Sequence, residues 1–141
     1  MIQTKFGIAL IAFSLGGCGS AATAETLPSS HCMAVFSAFR ELALRAKPQD
    51  LRLALNMTAR GIYEAKKVKD AGNIASSKQE GEAFFKDHEN DWDLLKKVHD
   101  QCSTRQDNDP KFKALNESGE LMKLARKDPA CQSDTSCRAS Q

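Results

Sequence analysis

Residues 77–102 read SKQEGEAFFKDHENDWDLLKKVHDQC and hold the only tryptophan of the chain, two of its seven phenylalanines and one of its five cysteines. Mostly apolar side chains recur in this stretch at intervals of three and four residues, which places them on one face of a helix. They are Phe84, Phe85, His88, Trp92, Leu95, Val98 and Cys102. Ser77 and Glu80 match a capping box. The stretch therefore predicts one long amphipathic helix that ends at Cys102.

Weaker amphipathic patterns lie on both sides of this stretch. The spacing predicts a first helix over residues 30–46, a second over 48–69 and a last one over 110–127, which Gly119 interrupts. Pro48 would begin the second helix, because proline is tolerated in a first turn but disfavours helix in the residue before it. No run alternates with a period of two. The predicted fold is all-α, a bundle of three to four helices.

The chain has 141 residues, enough for one small helical domain over residues 30–127. A tether over 18–29 precedes it, and an irregular, cysteine-containing tail over 128–141 follows. A domain of this size buries only about two-thirds of its unfolded surface, so disulfides would help to stabilise it. Gly61 costs the second helix about 1 kcal/mol relative to alanine, and a close helix crossing is the predicted reason for it.

The first 17 residues have the pattern of an export signal. Lys5 supplies a positive charge, and an apolar run follows over residues 6–15. Ten residues of helix span about 15 Å, half the thickness of a bilayer core, so the run predicts a signal peptide rather than a permanent membrane span. Ala22-Thr23-Ala24 is one possible cleavage site, for ordinary signal peptidase, with cleavage after residue 24.

A second possible cleavage site precedes Cys18. Residues 15–18, Leu-Gly-Gly-Cys, resemble the lipobox of bacterial lipoproteins. The resemblance implies cleavage after residue 17, lipidation of Cys18, and an exported protein held in the periplasm by its lipid. Because Gly19, rather than aspartate, follows Cys18, it also implies the outer membrane. Cleavage after residue 24 would instead give a soluble periplasmic or secreted protein.

The remaining cysteines agree with export. Cys32, Cys102, Cys131 and Cys137 form an even set, which in an oxidising compartment predicts two disulfides with three possible connectivities. The sequence contains no Cys-x-x-Cys motif. This argues against a thioredoxin-like redox site, a c-type haem and a common zinc finger.

The path of the helices constrains which cysteines pair. In a simple up-down bundle, Cys32 at the start of the first helix and Cys102 at the end of the third lie at opposite poles, about 37 Å apart. Either Cys32 pairs with a C-terminal cysteine, or the first two helices form a bent arm kinked at Pro48, along which the long helix returns. The second alternative is favoured, and it predicts disulfides Cys32–Cys102 and Cys131–Cys137.

The sequence predicts no enzyme and no cofactor. It contains no nucleophile, phosphate-loop or metalloprotease motif, and no spacing that pairs two carboxylates for acid–base chemistry. Two sets of metal ligands are candidates, although no metal site is the preferred prediction. His31 and His99 would meet beside a Cys32–Cys102 bond, and His88 with Asp91 forms an i, i+3 pair.

The aromatic residues Phe84, Phe85 and Trp92 are the candidate binding face. Most of this stripe should be core, but adjacent residues on a helix point about 100° apart, so one phenylalanine can reach a groove at the core's edge. The formal charge of +2 gives no general attraction to nucleic acid. These features predict a non-catalytic envelope protein that binds a protein partner and touches the membrane only through its lipid.

Two other functions remain open from the sequence. One is a periplasmic stress chaperone, since the chain resembles the small acid-activated chaperones in length, helicity and disulfides, without a shared motif. The other is a metal-binding protein or an enzyme.

Overall fold

The computed structural model describes residues 26–132. Its helices are α1 (Ser29–Arg45), α2 (Leu51–Asp70), α3 (Ile74–His88), α4 (Trp92–Asp107), α5 (Pro110–Glu117), α6 (Glu120–Ala125) and α7 (Pro129–Gln132). This described part contains no strand. The predicted all-α class is therefore confirmed for residues 26–132.

The predicted single helix over residues 77–102 is wrong, because the chain reverses at residues 89–91. The Asp91 carboxylate caps α4 by accepting a hydrogen bond of 3.0 Å from the backbone N–H of Leu94. Short polar side chains such as this one favour helix starts over helix interiors. Helix α3 begins at Ile74, ahead of the expected capping box, and α4 continues past Cys102.

The bent arm is also wrong, because α1 and α2 form an antiparallel hairpin. In the turn, the Asp50 carboxylate accepts from the backbone N–H of Leu53 at 2.9 Å and so caps α2. The backbone N–H of Asp50 donates to the carbonyl of Ala43 at 3.0 Å. Pro48 lies in this turn, and α2 begins at Leu51, three residues later than predicted.

The reversal at residues 89–91 explains how a hairpin and a Cys32–Cys102 bond coexist. Helix α4 is the fourth helix of an up-down-up-down arrangement, so it ends at the pole where α1 begins. The contacts between α4 and α1 agree with this direction. His99 of α4 stacks on Phe39 of α1, with ring centroids 4.5 Å apart. One turn later Cys102 is bonded to Cys32, with the two Cα atoms 5.6 Å apart. The prediction that Cys32 and Cys102 lie at opposite poles of an up-down bundle was wrong, because it assumed one unbroken helix over residues 77–102.

Two apolar clusters form the core, one on each side of α2. The disulfide cluster surrounds the bond between α1 and α4, and its buried members are Cys32, Val35, Phe36, Met57, Leu95, Val98 and Cys102. The second cluster joins α2 to α5 and α6 through Ala59, Tyr63, Phe112, Leu121 and Ala125. Gly119, with a φ of 74°, ends the α5 segment, which agrees with the predicted interruption.

Several predictions fall wholly or partly outside residues 26–132. These are the signal peptide, both cleavage sites, the lipid on Cys18, most of the tether and the Cys131–Cys137 bond, since Cys137 lies beyond the described residues. The tail predicted as irregular begins with the four-residue helix α7.

The close helix crossing lies at Gly81 rather than at Gly61. A Cβ atom added to Gly81 would lie 2.6 Å from the carbonyl oxygen of Ser30, which is shorter than any tolerated contact. At Gly61 the nearest atom would be the Cβ of Phe36, at an ordinary 3.9 Å. Among the glycines of residues 26–132, only Gly81 lets two helix backbones, those of α1 and α3, touch because it has no side chain.

We expect the two glycine substitutions to have opposite effects on stability. Gly81→Ala should lower the free energy of unfolding by about 1–3 kcal/mol, because α3 must move away from α1. Gly61→Ala should raise it by up to about 1 kcal/mol through helix propensity. Urea unfolding followed by tryptophan fluorescence measures both. Equal stabilisation by the two alanines would contradict the tight crossing.

Candidate functional site

An open apolar groove runs along the outer face of α1, between this helix and α3. Its volume is about 580 Å³. Helix α1 supplies one wall, and α3 with Trp92 at the start of α4 supplies the other. The apolar side chains that line it are Met33, Ala34, Ala38, Leu42, Phe85 and Trp92. A mostly apolar concavity of this size is typical of a binding site.

The packing of α1 explains why this groove stays open. Its inner face is filled by α2 and α4, and α3 covers the first part of its outer face, where Gly81 lies against Ser30 and Phe84 stacks on His31. Two large side chains are consequently left uncovered. Leu42 is 44% exposed and Trp92 is 45% exposed, although the Trp92 ring packs edge-on against Phe39. Uncovered apolar groups that share one groove indicate a surface for contact with another molecule.

The rim of the groove has no net charge. Glu41 and Arg45 lie on the α1 side, and Lys78 and Glu82 lie on the α3 side. Glu41 is paired with Arg40 at 2.7 Å, and Lys78 lies 4.0 Å from Glu82. Such exposed pairs contribute little to stability. The balance of charges gives this groove no preference for a strongly acidic or strongly basic ligand.

The predicted aromatic face divides between the groove and the core. Phe85 and Trp92 line the groove, whereas Phe84 does not. The Phe84 ring stacks on His31, with centroids 4.0 Å apart and planes 16° apart, and lies 5.0 Å from the ring of His88. The two adjacent phenylalanines therefore point to different surroundings, as the helical geometry requires.

The two candidate metal ligands expected beside the disulfide, His31 and His99, contact different aromatic rings. His31 stacks on Phe84, while His99 stacks on Phe39 and its Nδ1 lies 3.0 Å from an Asp100 carboxylate oxygen. The expected meeting of His31 and His99 beside the disulfide is therefore wrong.

His88 and Asp91 line a shallow polar depression at the α3–α4 turn. Within residues 26–132, no three histidine, cysteine, aspartate or glutamate side chains are arranged to hold a metal ion.

A buried polar network beside the disulfide was not predicted. Glu64 is fully buried, and one of its carboxylate oxygens accepts a hydrogen bond of 2.9 Å from Gln106. The other oxygen lies 3.0 Å from the Arg105 guanidinium, which also donates to the backbone carbonyl of Leu27 and to the Cys32 sulfur. This network ties α2 and α4 to the residues just before α1.

The sequence did contain a sign of this network. Met57, Gly61, Glu64 and Val68 are spaced by four, three and four residues, which places Glu64 on the inward face of α2. Gln106 continues the inward face of α4 in the same way, four residues after Cys102. A charged residue on an apolar stripe predicts a buried partner, because an unpaired buried charge is costly.

The surroundings of Glu64 favour its charged form. Burial alone would raise the pKa of Glu64, but hydrogen bonds from Ser29 and Gln106 and the positive charges of Arg105 and Lys67 outweigh it. The pKa therefore lies below the ordinary 4.5. A carboxylate with a depressed pKa stabilises the fold above its ordinary pKa, and this stabilisation is lost as the pH falls through the folded-state pKa.

We predict that Glu64→Gln lowers the free energy of unfolding at pH 7 by about 1–3 kcal/mol, because Arg105 loses the buried negative charge that pairs with it and one of the two carboxylate oxygens is replaced by a donor. The difference from wild type should shrink as the pH falls below 4.5. Urea unfolding between pH 7 and pH 3 measures it, with Glu82→Gln on the exposed rim as the control. A difference that is the same at pH 3 as at pH 7 would contradict the assignment.

The comparisons do not assign a function to this site. No family model, no curated protein and no solved structure matches the chain. In residues 26–132 no helix has the length and apolar character needed to cross a bilayer. A function must therefore be argued from the groove and from the residues themselves.

Proposed function

We propose that this protein is an exported, non-catalytic binding protein of the bacterial cell envelope, and that its groove receives an apolar segment of a protein partner. The exposure of Leu42 and Trp92 in one groove is the observation that carries the proposal. Both side chains lie on well-formed helices, and neither is needed to fill the core.

The shape and charge of the groove favour a helical segment as the ligand. The lining positions of α1 extend from Ser30 to Arg45, about 22 Å of helix. An amphipathic helix of about four turns matches this length and would place apolar anchors at intervals of three and four residues. The rim has no net charge and therefore offers no positive track for phosphates, so nucleic acid is not the proposed ligand.

The cysteines and the first 17 residues support the proposed location in the cell envelope. A buried Cys32–Cys102 bond is favoured in an oxidising compartment, in agreement with the signal pattern over residues 1–17. With cleavage before Cys18 the lipid would sit about eleven residues before α1. An extended segment of that length spans about 36 Å, so the domain could stand clear of the outer membrane.

The chemistry near the groove supports a non-catalytic role. Its lining residues include no histidine and no cysteine. The buried titratable group Glu64 is paired with Arg105 and Gln106 beside the disulfide, and its contacts are structural. No cofactor is proposed.

The groove proposal is tested with a matched pair of substitutions on exposed leucines. Leu42→Glu places a charge in the groove. Leu53→Glu makes the same change at a leucine of similar exposure, 37%, which lies on α2 outside the groove. A partner cross-linked in intact envelopes should be retained by wild type and Leu53→Glu. Its recovery should fall at least about tenfold with Leu42→Glu, as expected when a central interface side chain is lost.

Two further outcomes complete this experiment. Cys18→Ser should release the protein from the membrane fraction and leave groove binding intact, which separates the anchor from the binding site. A partner recovered equally with Leu42→Glu and Leu53→Glu would contradict binding in the groove.

The acid-activated chaperone is the second candidate, and two residues at one pole favour it. Burial lowers the pKa of His31 below its ordinary 6.5, so protonation of the unfolded state destabilises the fold as the pH falls through that value. Glu64 loses its stabilising charge at still lower pH. This function requires wild-type protein that exposes apolar surface near pH 3 and suppresses client aggregation there; a native fold at pH 3 rejects it.

A further inference from the structure

We propose that the turn between α2 and α3, with the helix ends that flank it, rests on an anionic phospholipid surface. These residues, 65–79, are called the α2–α3 tip. This contact goes beyond the binding of a partner in the groove, and it adds a second membrane contact to the one predicted through the lipid on Cys18. The supporting observations are the position of the tip, its exposed isoleucine, its charge and the place where the tether joins α1.

The α2–α3 tip extends past the pole at which α1 begins. On α2, the Glu64 carboxylate accepts a hydrogen bond from Ser29, the first residue of α1. On α3, Gly81 lies against the backbone of Ser30. Helix α2 continues for six residues after Glu64, and α3 begins seven residues before Gly81. Each helix therefore extends about 9–10 Å further along its axis than the start of α1, and the turn between them protrudes.

The tip ends in an uncovered apolar side chain. Ile74 begins α3 and is 41% exposed, and it belongs to neither core cluster. Within residues 71–80 only Ser77 is partly covered by the rest of the domain. Gly72, with a φ of 75°, makes the turn tight. A convex end of this kind suits a broad surface better than a small ligand, because small ligands bind in concave sites.

The tip carries a concentrated positive charge. Residues 65–79 contain four lysines and one aspartate, a net charge of +3, whereas the whole chain carries only +2. Lys67 is partly neutralised, since its Nζ lies 3.5 Å from a Glu64 carboxylate oxygen. The other three lysines are exposed, and they are Lys66, Lys69 and Lys78. Each lysine near an anionic lipid surface strengthens binding by about fivefold, so the tip is attracted to such a surface.

The combination of Ile74 with surrounding lysines favours a bilayer over an acidic protein. Lysine stems can lie along apolar material while their ammonium groups reach the phosphates of lipid headgroups. An apolar side chain between them can enter the boundary of the acyl chains, as in helices that lie on membrane surfaces. One surface therefore satisfies both chemical features of the tip.

The tether holds this pole toward the membrane. Cys18, which would carry the proposed lipid, lies eleven residues before Ser29. Even a fully extended segment of that length spans only about 36 Å. Because the tether joins α1 at the pole from which the tip protrudes, the tip lies on the membrane side of the domain. Leu42 lies thirteen residues after Ser29, about 20 Å along α1, so the exposed part of the groove would face away from the lipid.

Co-sedimentation with lipid vesicles tests this contact. The processed chain, residues 18–141, carries Cys18→Ser as the parent protein, so that no attached lipid contributes. At up to about 10 mM lipid it should bind vesicles in which about one third of the lipid is phosphatidylglycerol, and not vesicles of phosphatidylcholine alone. Binding should fall at least about tenfold between about 0.1 M and about 1 M salt, because the screening length falls from about 10 Å to about 3 Å.

Two pairs of lysines separate the tip from general charge. Lys66→Gln with Lys69→Gln should weaken binding to the anionic vesicles at least about tenfold. Lys47→Gln with Lys86→Gln removes the same charge from exposed lysines at the opposite pole, and should change binding less than about twofold. Lys78 stays unchanged because it also lies on the rim of the groove.

A second matched pair tests the apolar contact. Ile74→Ser should weaken binding at least about threefold, because an apolar side chain no longer leaves water. Leu53→Ser, at a similarly exposed residue near the opposite pole, should leave it unchanged. Circular dichroism checks that all variants stay folded. Absence of binding to anionic vesicles at low salt, or equal effects of the substitutions at the two poles, would overturn the proposal.

The alternative occupant gives a different result. If Lys66→Gln with Lys69→Gln abolishes a cross-link to an envelope protein and leaves vesicle binding intact, the tip contacts a protein and the membrane contact is rejected. Leu42→Glu should leave vesicle binding unchanged. Loss of vesicle binding at the tip and loss of a partner at the groove are therefore measured separately.

Discussion

The bond between Cys32 and Cys102 is the constraint on which the rest of this structure depends. It joins the start of α1 to the last part of α4 and closes 70 residues of chain, which in the chain-entropy model contributes about 4 kcal/mol. The largest apolar cluster forms around it, and the Glu64–Arg105 pair lies against it. Covalent closure, apolar burial and a satisfied buried charge therefore act at the same pole of the domain.

This arrangement leaves part of the outer face of α1 uncovered. Helices α2 and α4 cover the inner face, and α3 covers the outer face around Gly81, where it lies against Ser30 and Ala34. The open groove is thus a consequence of how the core is closed. Because one wall of the groove belongs to a helix that the disulfide holds at one end, the proposed binding of a ligand there would cost little conformational entropy.

Local signals in the sequence predicted the helices well and their arrangement poorly. The first helix and the interruption at Gly119 follow from periodicity and from glycine. The reversal at residues 89–91 was missed because the apolar spacing continues through it, from His88 to Trp92, while its only local sign is the capping residue Asp91. The favoured cysteine pair is present, although the bent-arm argument for it was wrong. Glu64 and the crossing at Gly81 depend on contacts between helices, which no single stretch of sequence displays.

Mapping the disulfides of the full-length protein by mass spectrometry without reduction is the most direct test of this fold. The structure predicts a linked pair of peptides that contain Cys32 and Cys102, because the hairpin of α1 and α2 and the reversal between α3 and α4 bring these residues to the same pole. Cys32 linked instead to Cys131 or Cys137 would contradict the closure of α1 against α4 and, with it, the origin proposed here for the groove.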